Sequence, residues 1–520
     1  MSSPSGGGVT VHAEAAPPRD PYRWRQLGFR LVLDSSVRVV GPRPPEGSVT
    51  LLGGHPVRLV RLSKAGASAL GRLTARPPAD DSEASLAERL VAGGLAHPRP
   101  TAQPDETAQP DETGWPRSEV TVVVPARGRP DLLETCLAAL GGDTPVVVVD
   151  DGSADHQAIA ATCRAHGARH VVRPEPGGPG AARNDGLGHV GTELVAFVDS
   201  DCIVTPHWLE GLTWLFADPC VGAVAPRVQP APTGSTRAVS RFAASRSPLD
   251  LGGREGRVGP TERVRYVPTA ALVVRTAALG DGFDAALRVG EDVDLLWRLV
   301  AAGWDVRYVP SVTVHHREPS SPWALLRRRA RYGTSAAPLA RRHRGDLPLA
   351  EVAPLPAAIV IAALTGQPGL AATAQVVSLL QALGRARALG LGPGLAVRWS
   401  LATTAWTAVG LSRAATVGAG PLVLTALVRR HRRAAAIALL TLAPLVEWWQ
   451  RRPALDPLRW TALAAADDLA YGIGVWLGCL RWRTLDPLVP AVRTPPRREG
   501  RSAAATGSTG DVPNRASQVP

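Results

Sequence analysis

The sequence predicts an α/β protein. A mostly parallel sheet domain at 118–345 follows a small α+β module at 22–98 and precedes an apolar, mostly helical region at 348–490. Three observations carry this. Val120 to Val124, Val146 to Val149 and Leu194 to Val198 are short apolar runs rich in β-branched residues, which read as strands covered on both faces, with helix-period stretches between them. In the module ahead of them, strand-like pieces come first and helical pieces second. After about residue 348 the composition turns to Ala, Leu, Val and Trp.

Residues 1–20 are Ser, Gly, Pro and Ala with little to bury and are expected to be disordered. The module carries strands at Phe29 to Leu33, Val37 to Val40, Val49 to Leu52 and Val57 to Leu62, then helices at Ser63 to Leu73 and Ser82 to Val91. Ser63 is placed to cap the first helix, although no Glu or Gln completes a capping box. TAQPDE at 101–106 repeats at 107–112 and makes 99–117 an extended linker. The tail at 494–520 is Pro-, Arg-, Ser- and Ala-rich and is expected to be disordered.

The net charge is +13 and nearly all cationic residues are Arg, Lys64 being the sole lysine. These arginines are scattered and not interleaved with aromatics along one element, so no nucleic-acid partner is expected. Cys136, Cys163, Cys202, Cys220 and Cys479 are odd in number, widely spaced and lack CxxC, against both a disulfide framework and a structural zinc site. Met1 to Pro18 has neither a basic n-region nor an apolar h-region, so no signal peptide is expected.

Within 118–345, crossover-linked parallel strands should present ligands at their carboxyl ends. The Leu194 to Val198 strand ends in Asp199-Ser200-Asp201, two hard oxygen donors suited to Mg²⁺ or Mn²⁺, or else caps for the next helix. The Val146 strand ends in Asp150-Asp151-Gly152-Ser153, which can accept hydrogen bonds from a nucleotide or form an Asx turn. In Gly177 to Gly186 small residues permit close backbone approach, and Arg183 offers a fork for phosphate or for the metal-holding carboxylates. Glu291, Asp292 and Asp294 open a helix at Gly290. Adjacent helical acids diverge by about 100°, so one can aim into a site as a general base; Asp292 is taken, with Glu291 orienting its surroundings and Asp294 facing the acceptor or a structural partner.

Taken in order, VVVPARGRP, VVVDDGS, GPGAARNDG, FVDSDC and GEDVDLLWRL resemble the family 2 inverting glycosyltransferases, over close to half of the chain. The resemblance implies a GT-A, Rossmann-like, nucleotide-sugar-binding domain and a UDP-sugar donor. By it Pro125, Ala126 and Arg127 line the base and ribose pocket, and Asp151 holds the uracil or ribose edge with Asp150 beside it. Asp201 coordinates the metal, Asp199 contacts ribose or metal, and Asp292 is the base. Gly128 stands where many members carry Asn. A late His commonly completes the metal shell, and His316 is taken over His315 because neighbours on a strand face opposite ways. Arg327 to Gly333, with Trp323 ahead, resembles a degraded QxxRW element, with Arg331 towards the donor diphosphate; an interfacial basic helix is the other reading.

The implied reaction moves a hexose, glucose by the resemblance, with inversion. The small N-terminal module is similar to winged-helix-like modules that hold peptide substrates, which implies a peptide-derived redox cofactor or its precursor as acceptor and a short β-linked glucan as product. A polyprenyl or cell-wall lipid acceptor is the alternative. A non-catalytic peptide-binding scaffold with a nucleotide-sugar sensor is disfavoured because Asp199, Asp201 and Asp292 are all present. Beyond 348, most apolar stretches fall short of the roughly 20 residues that span a bilayer, and Asp467-Asp468 interrupts the last. With Arg429 to Arg433 as a basic loop, the region is expected to lie in or on the cell membrane, the catalytic domain facing the cytoplasm.

Overall fold

The computed structural model describes residues 13–40, 47–101, 116–388 and 392–492. The expectations for residues 1–12, 102–115 and 493–520 lie outside the described residues. One compact unit comprises residues 1–350 with 408–491, and another comprises 351–407 with the chain after 491.

In the first unit, β1 (Phe29–Leu33), β2 (Arg38–Val40), β3 (Val49–Gly53) and β4 (Arg58–Leu62) precede α1 (Lys64–Ala75) and α2 (Asp81–Ala92), as expected. Ser63 Oγ accepts from the Gly66 amide at 3.2 Å, and Asp80 caps α2 by accepting from Glu83 N at 2.8 Å. Alternate residues of β3 are buried, so Val49 and Leu51 join Leu31, Leu73 and Leu90 in the module core. A fifth strand, β5 (Ala96–Pro100), adds to the four expected and pairs antiparallel with β1. Residues 14–19 depart from the expected disorder. The Ala16 amide donates to Ala302 O at 3.0 Å, and Arg19 pairs with Asp305 at 2.8 Å.

The large sheet begins with β6 (Val120–Ala126), β7 (Val146–Asp151), β8 (Arg169–Arg173) and β9 (Leu194–Val198), separated by α3 (Pro130–Leu140), α4 (His156–Ala165) and α5 (Pro179–Leu187). Val122, Val123 and Val124 have no exposed surface, and burying each contributes roughly 1.5–3 kcal/mol. Next come β10 (Cys202–Val204), α6 (Glu210–Thr213), β11 (Val221–Pro230), α7 (Ala238–Ser245), β12 (Gly256–Arg257), β13 (Ala271–Arg275), α8 (Glu291–Ala301) and β14 (Asp305–His316).

The strand order is β10-β14-β11-β13-β9-β6-β7-β8, with β12 on β14. The parallel prediction holds for β8, β7, β6 and β9 and again for β11 with β14, but β13 runs antiparallel to both β9 and β11, and β10 antiparallel to β14. Apolar periodicity reports that β13 is buried on both faces and carries no information on its direction. The five cysteines are buried and free.

The sheet is followed by α9 (Pro322–Gly333), α10 (Ala336–Arg342), α11 (Pro354–Leu364), α12 (Pro368–Ala388), α13 (Pro393–Ala426), α14 (Arg433–Arg451) and α15 (Pro457–Trp482). The stretches expected at Trp399 to Leu411 and Val417 to Val428 share α13, which bends at Ala419 just before Pro421. By length and composition alone α13 and α15 could cross a bilayer, although half of the apolar stretch of α15 is buried. In the second unit Gln375 of α12 donates to Ser400 Oγ and accepts from Thr404 Oγ1, both at 2.9 Å.

The region expected as one membrane-associated block at 348–490 thus divides, and α15 belongs with the sheet domain. Asp467 and Asp468, which break its apolar run, are buried against Arg246 at 2.5 and 2.8 Å, and Arg329 of α9 reaches Asp467 at 3.0 Å. Gly474 lets α15 meet α9 backbone to backbone: an added methyl there would overlap the carbonyl of Ala330. Gly474→Ala is therefore expected to destabilise the protein by about 1–3 kcal/mol, read as a lowered thermal midpoint; an unchanged midpoint would contradict the tight crossing.

Candidate active site

The site is built where β9 ends. The Asp199 amide donates to Ala270 O of the neighbouring chain segment and the Asp199 carbonyl accepts from Cys202 N, which fixes the turn carrying Asp199, Ser200 and Asp201. On α5 the small residues Gly180, Ala181 and Ala182 let the helix sit close, so Arg183 is buried beneath the turn. Its Nη2 donates to Asp199 Oδ1 at 2.6 Å and its Nη1 to Glu291 Oε1 at 3.0 Å. Of the two roles open to Arg183, the structure shows the carboxylate one. Burial would lower its affinity for the proton, but Asp199 and Glu291 outweigh that and hold it above the ordinary guanidinium value.

Gly290 stands in the left-handed region at φ +84°, and a Cβ there would lie 2.8 Å from Ser335 Cβ, so glycine is needed where α8 turns into the site. The adjacent acids then diverge. Glu291 is neutralised by Arg183, whereas among the described residues Asp292 has only the Val293 amide, 2.8 Å from its Oδ1, and no cation partner. Its carboxyl keeps some surface towards a cavity but is otherwise enclosed by protein. Desolvation, and then the charge of Glu291, push the Asp292 pKa up to about 7. Asp294 is a structural residue, since Arg298 holds it at 2.9 Å and His343 at 3.0 Å.

Asp201 accepts from Arg129 at 3.1 Å, and its Oδ1 lies 3.5 Å from His316 Nε2. Burial alone would lower the His316 pKa, but Asp201 and Glu318 hold its proton and raise it to about 9. Burial favours the neutral form of Asp201, yet His316 and Arg129 together keep it below the usual carboxylate value. Asp199 goes the other way, raised by burial in spite of Arg183. Among the described residues no three His, Cys, Asp or Glu side chains form a ready-made metal cage. The donor chemistry nevertheless fits a hard divalent cation: two carboxylates two positions apart, with the His316 imidazole 3.5 Å from Asp201 able to join them once its proton is lost.

A cavity of about 310 Å³ joins these groups. Arg183, Asp199, Glu291, Asp292, His316 and Arg331 line it, so six of the residues singled out in the sequence come together. Pro125, Ala126, Arg127, Asp150, Asp151 and the metal candidate Asp201 do not line it. Ala126 is buried, Arg127 is exposed and Pro125 lies at intermediate depth. Asp150 is fully buried, accepting from Ser153 N at 3.0 Å and from His156 Nδ1 at 2.6 Å. Asp151 accepts from the amides of Gly177 and Gly178 at 2.7 and 2.8 Å, with Arg173 Nε at 3.0 Å, and so pins the glycine-rich loop onto β7. The structure gives both residues chain-internal partners where nucleotide contacts were expected.

The basic stretch on α9 is likewise split. Arg327 lies over the exposed Trp323 ring and Arg328 pairs with Glu318, whereas Arg329 and Arg331 face the cavity. Trp297 and Tyr332 lay within GEDVDLLWRL and the basic stretch, whereas sequence reasoning missed Tyr266 and Tyr471, which complete the aromatic lining. Their only signal was aromatic content in an aromatic-poor chain, and Tyr471 sits in a run that reads as membrane-bound.

The family model described as "Glycosyltransferase like family 2" matches residues 116–335. The Pre-mycofactocin glycosyltransferase of Mycobacterium tuberculosis, in two strains, is 38% identical over 488 residues, covering 90% of this chain and 98% of the relative. An N-acetylglucosaminyltransferase of Rhizobium meliloti is 28% identical over 246 residues, 42% of this chain and 56% of the relative. Among solved structures, a mannosyltransferase from Pyrobaculum calidifontis in complex with GDP-Man and Mn2+ is 23% identical, covers 67% of this chain and 90% of that one, and has a TM-score of 0.35.

Proposed function

Because this chain belongs to the family 2 glycosyltransferases and has their GT-A fold, we propose that it transfers a hexose, glucose from UDP-glucose, to a hydroxyl of pre-mycofactocin with inversion at the anomeric carbon. The observation that carries the mechanism is the division of labour between two adjacent acids. Glu291 is spent on Arg183, while Asp292 faces the cavity unpaired, with its pKa at about 7.

In this reading the acceptor hydroxyl gives its proton to the Asp292 carboxylate as its oxygen attacks the anomeric carbon. The bond to the nucleoside diphosphate breaks on the opposite face, so one displacement turns an α-linked donor into a β-glycoside. Arg183 keeps Asp199 and Glu291 in place during this step, and Arg331 is available to the diphosphate charge. Mg²⁺ or Mn²⁺ held by Asp199, Asp201 and His316 would neutralise the departing diphosphate.

The acceptor assignment is supported by likeness along nearly the whole length of the mycobacterial relative. The module at 22–98 would hold the peptide-derived part; both edge strands of its small sheet, β2 and β4, are largely exposed. Membrane association is supported by exposed apolar side chains in the first unit, among them Leu422, Leu458 and Leu480, and the basic loop Arg429 to Arg433 favours a cytoplasmic face. The same apolar surface favours a second reading, a lipid-linked acceptor.

The test is to incubate the membrane fraction with single nucleotide sugars, Mg²⁺ or Mn²⁺ and each candidate acceptor, and to follow product mass and anomeric configuration. Transfer from UDP-glucose to pre-mycofactocin as a β-glycoside is expected. An α-product overturns inversion, and transfer to a polyprenyl phosphate alone overturns the acceptor. Asp201→Ala is expected to abolish the metal-dependent part of donor binding measured by calorimetry, and full retention would remove the metal assignment.

A further inference from the structure

The cavity beside Asp292 holds a feature that the transfer chemistry does not account for and that reaches beyond the matched segment 116–335. Three phenols converge on it from separate parts of the chain: Tyr266 ahead of β13, Tyr332 on α9 and Tyr471 on α15. Each ring is half-buried, and none of the three hydroxyls makes a hydrogen bond among the described residues. The three hydroxyls keep surface in the open cavity, where the polar groups of a ligand can take the place of water.

Tyr471 is the most distant in sequence and is also firmly seated. The Arg329 guanidinium lies 5.0 Å from its ring centroid, and the same Arg329 is held by Asp467, four residues earlier on one face of α15. The backbone crossing at Gly474 fixes how deep that face reaches. Leu339 and Leu347, also beyond residue 335, complete an apolar floor. Part of the cavity lining is therefore made by chain outside the matched segment.

We propose that Tyr471, acting with Tyr266 and Tyr332, is a specificity-determining residue for the acceptor, and that it selects a compact, ring-bearing molecule whose hydroxyls take hydrogen bonds from the phenols. This rests on the reading of Asp292 as the base. The apolar floor and aromatic faces suit a ring, and the phenols suit its hydroxyls; an extended aliphatic chain would leave all three hydroxyls unpaired.

The experiment uses the full chain with pre-mycofactocin as acceptor and UDP-glucose as donor, and compares Tyr471→Phe and Tyr471→Ala with the parent protein. Tyr471→Phe keeps the ring and removes one hydrogen bond, so the acceptor KM should rise roughly tenfold, with donor KM and acceptor-independent hydrolysis of UDP-glucose within about twofold of the parent. Tyr471→Ala should raise it further and admit bulkier acceptors. If Tyr471→Ala fails to fold, the Tyr471→Phe result decides. An unchanged acceptor KM in Tyr471→Phe, or an equal fall in hydrolysis, overturns the proposal. Asp292→Asn in parallel separates the two readings: if it is inactive while Tyr471→Phe matches the parent, only the tyrosine assignment falls, and if it still transfers, the base assignment falls with it.

Discussion

Asp292→Asn is expected to lower the rate of sugar transfer by about 10²–10⁴-fold with donor affinity unchanged, because it removes proton acceptance and nothing that touches the diphosphate. Asn is the same size and keeps an oxygen for the Val293 amide, so α8 should hold its place. Measured transfer and calorimetric donor binding separate the two effects; a variant that transfers at the parent rate would end the role of Asp292 as base. The parent itself should gain activity as pH rises through about 7, where the carboxyl becomes a base. Its stability should move the opposite way. Below about pH 4 an aspartate is protonated in folded and unfolded chains alike, and between there and pH 7 the folded chain holds the extra proton, so stability falls with rising pH and the cost is complete above 7. Asp292→Asn is therefore expected to melt above the parent at pH 8 and close to it near pH 4.

Arg183→Met should be the most damaging single change to the framework of the site. It leaves Asp199 and Glu291 facing each other's neighbourhood with no cation, and removing one partner of a buried ion pair costs about 3–5 kcal/mol. Since Arg183 also draws the Asp292 pKa downward, any protein that still folds should show its activity rise at higher pH than the parent. Adding Glu291→Gln to Arg183→Met removes one of the stranded charges and should recover part of the lost thermal stability. A double variant no more stable than Arg183→Met alone would argue against the shared ion-pair network.

Asp199 and Asp201 were legible as candidates because they sit at the ends of strong local patterns. Leu194 to Val198 announces a strand, the strand announces an edge, and Asp199 and Asp201 stand on that edge. Arg183 and Glu291 were visible as types, but their pairing across 108 residues follows from how α5 lies under β9. Asp150 and Asp151 carry the same chemistry as Asp199 in the same kind of place, yet turn inward because Ser153, His156 and the loop amides reach them first. The antiparallel strand β13 was not among the strands expected, and burial on both faces would look alike whichever way it ran. Tyr471 was out of reach altogether: the apolar run around it argues for lipid, and only Asp467 and Asp468 hint that the helix answers to arginines elsewhere.

That helix changes what counts as the catalytic piece of this protein. Truncation near residue 345 would keep all the strands of the sheet and all the acids, yet would strip the partners from Arg246 and Arg329 and remove one side of the chamber. Such a fragment should be poorly soluble, and any sugar it released would go to water. Conversely, exchanging 457–482 between related enzymes offers a route to new acceptors that leaves the donor machinery untouched, provided the incoming helix brings its own glycine at the crossing and its own pair of carboxylates.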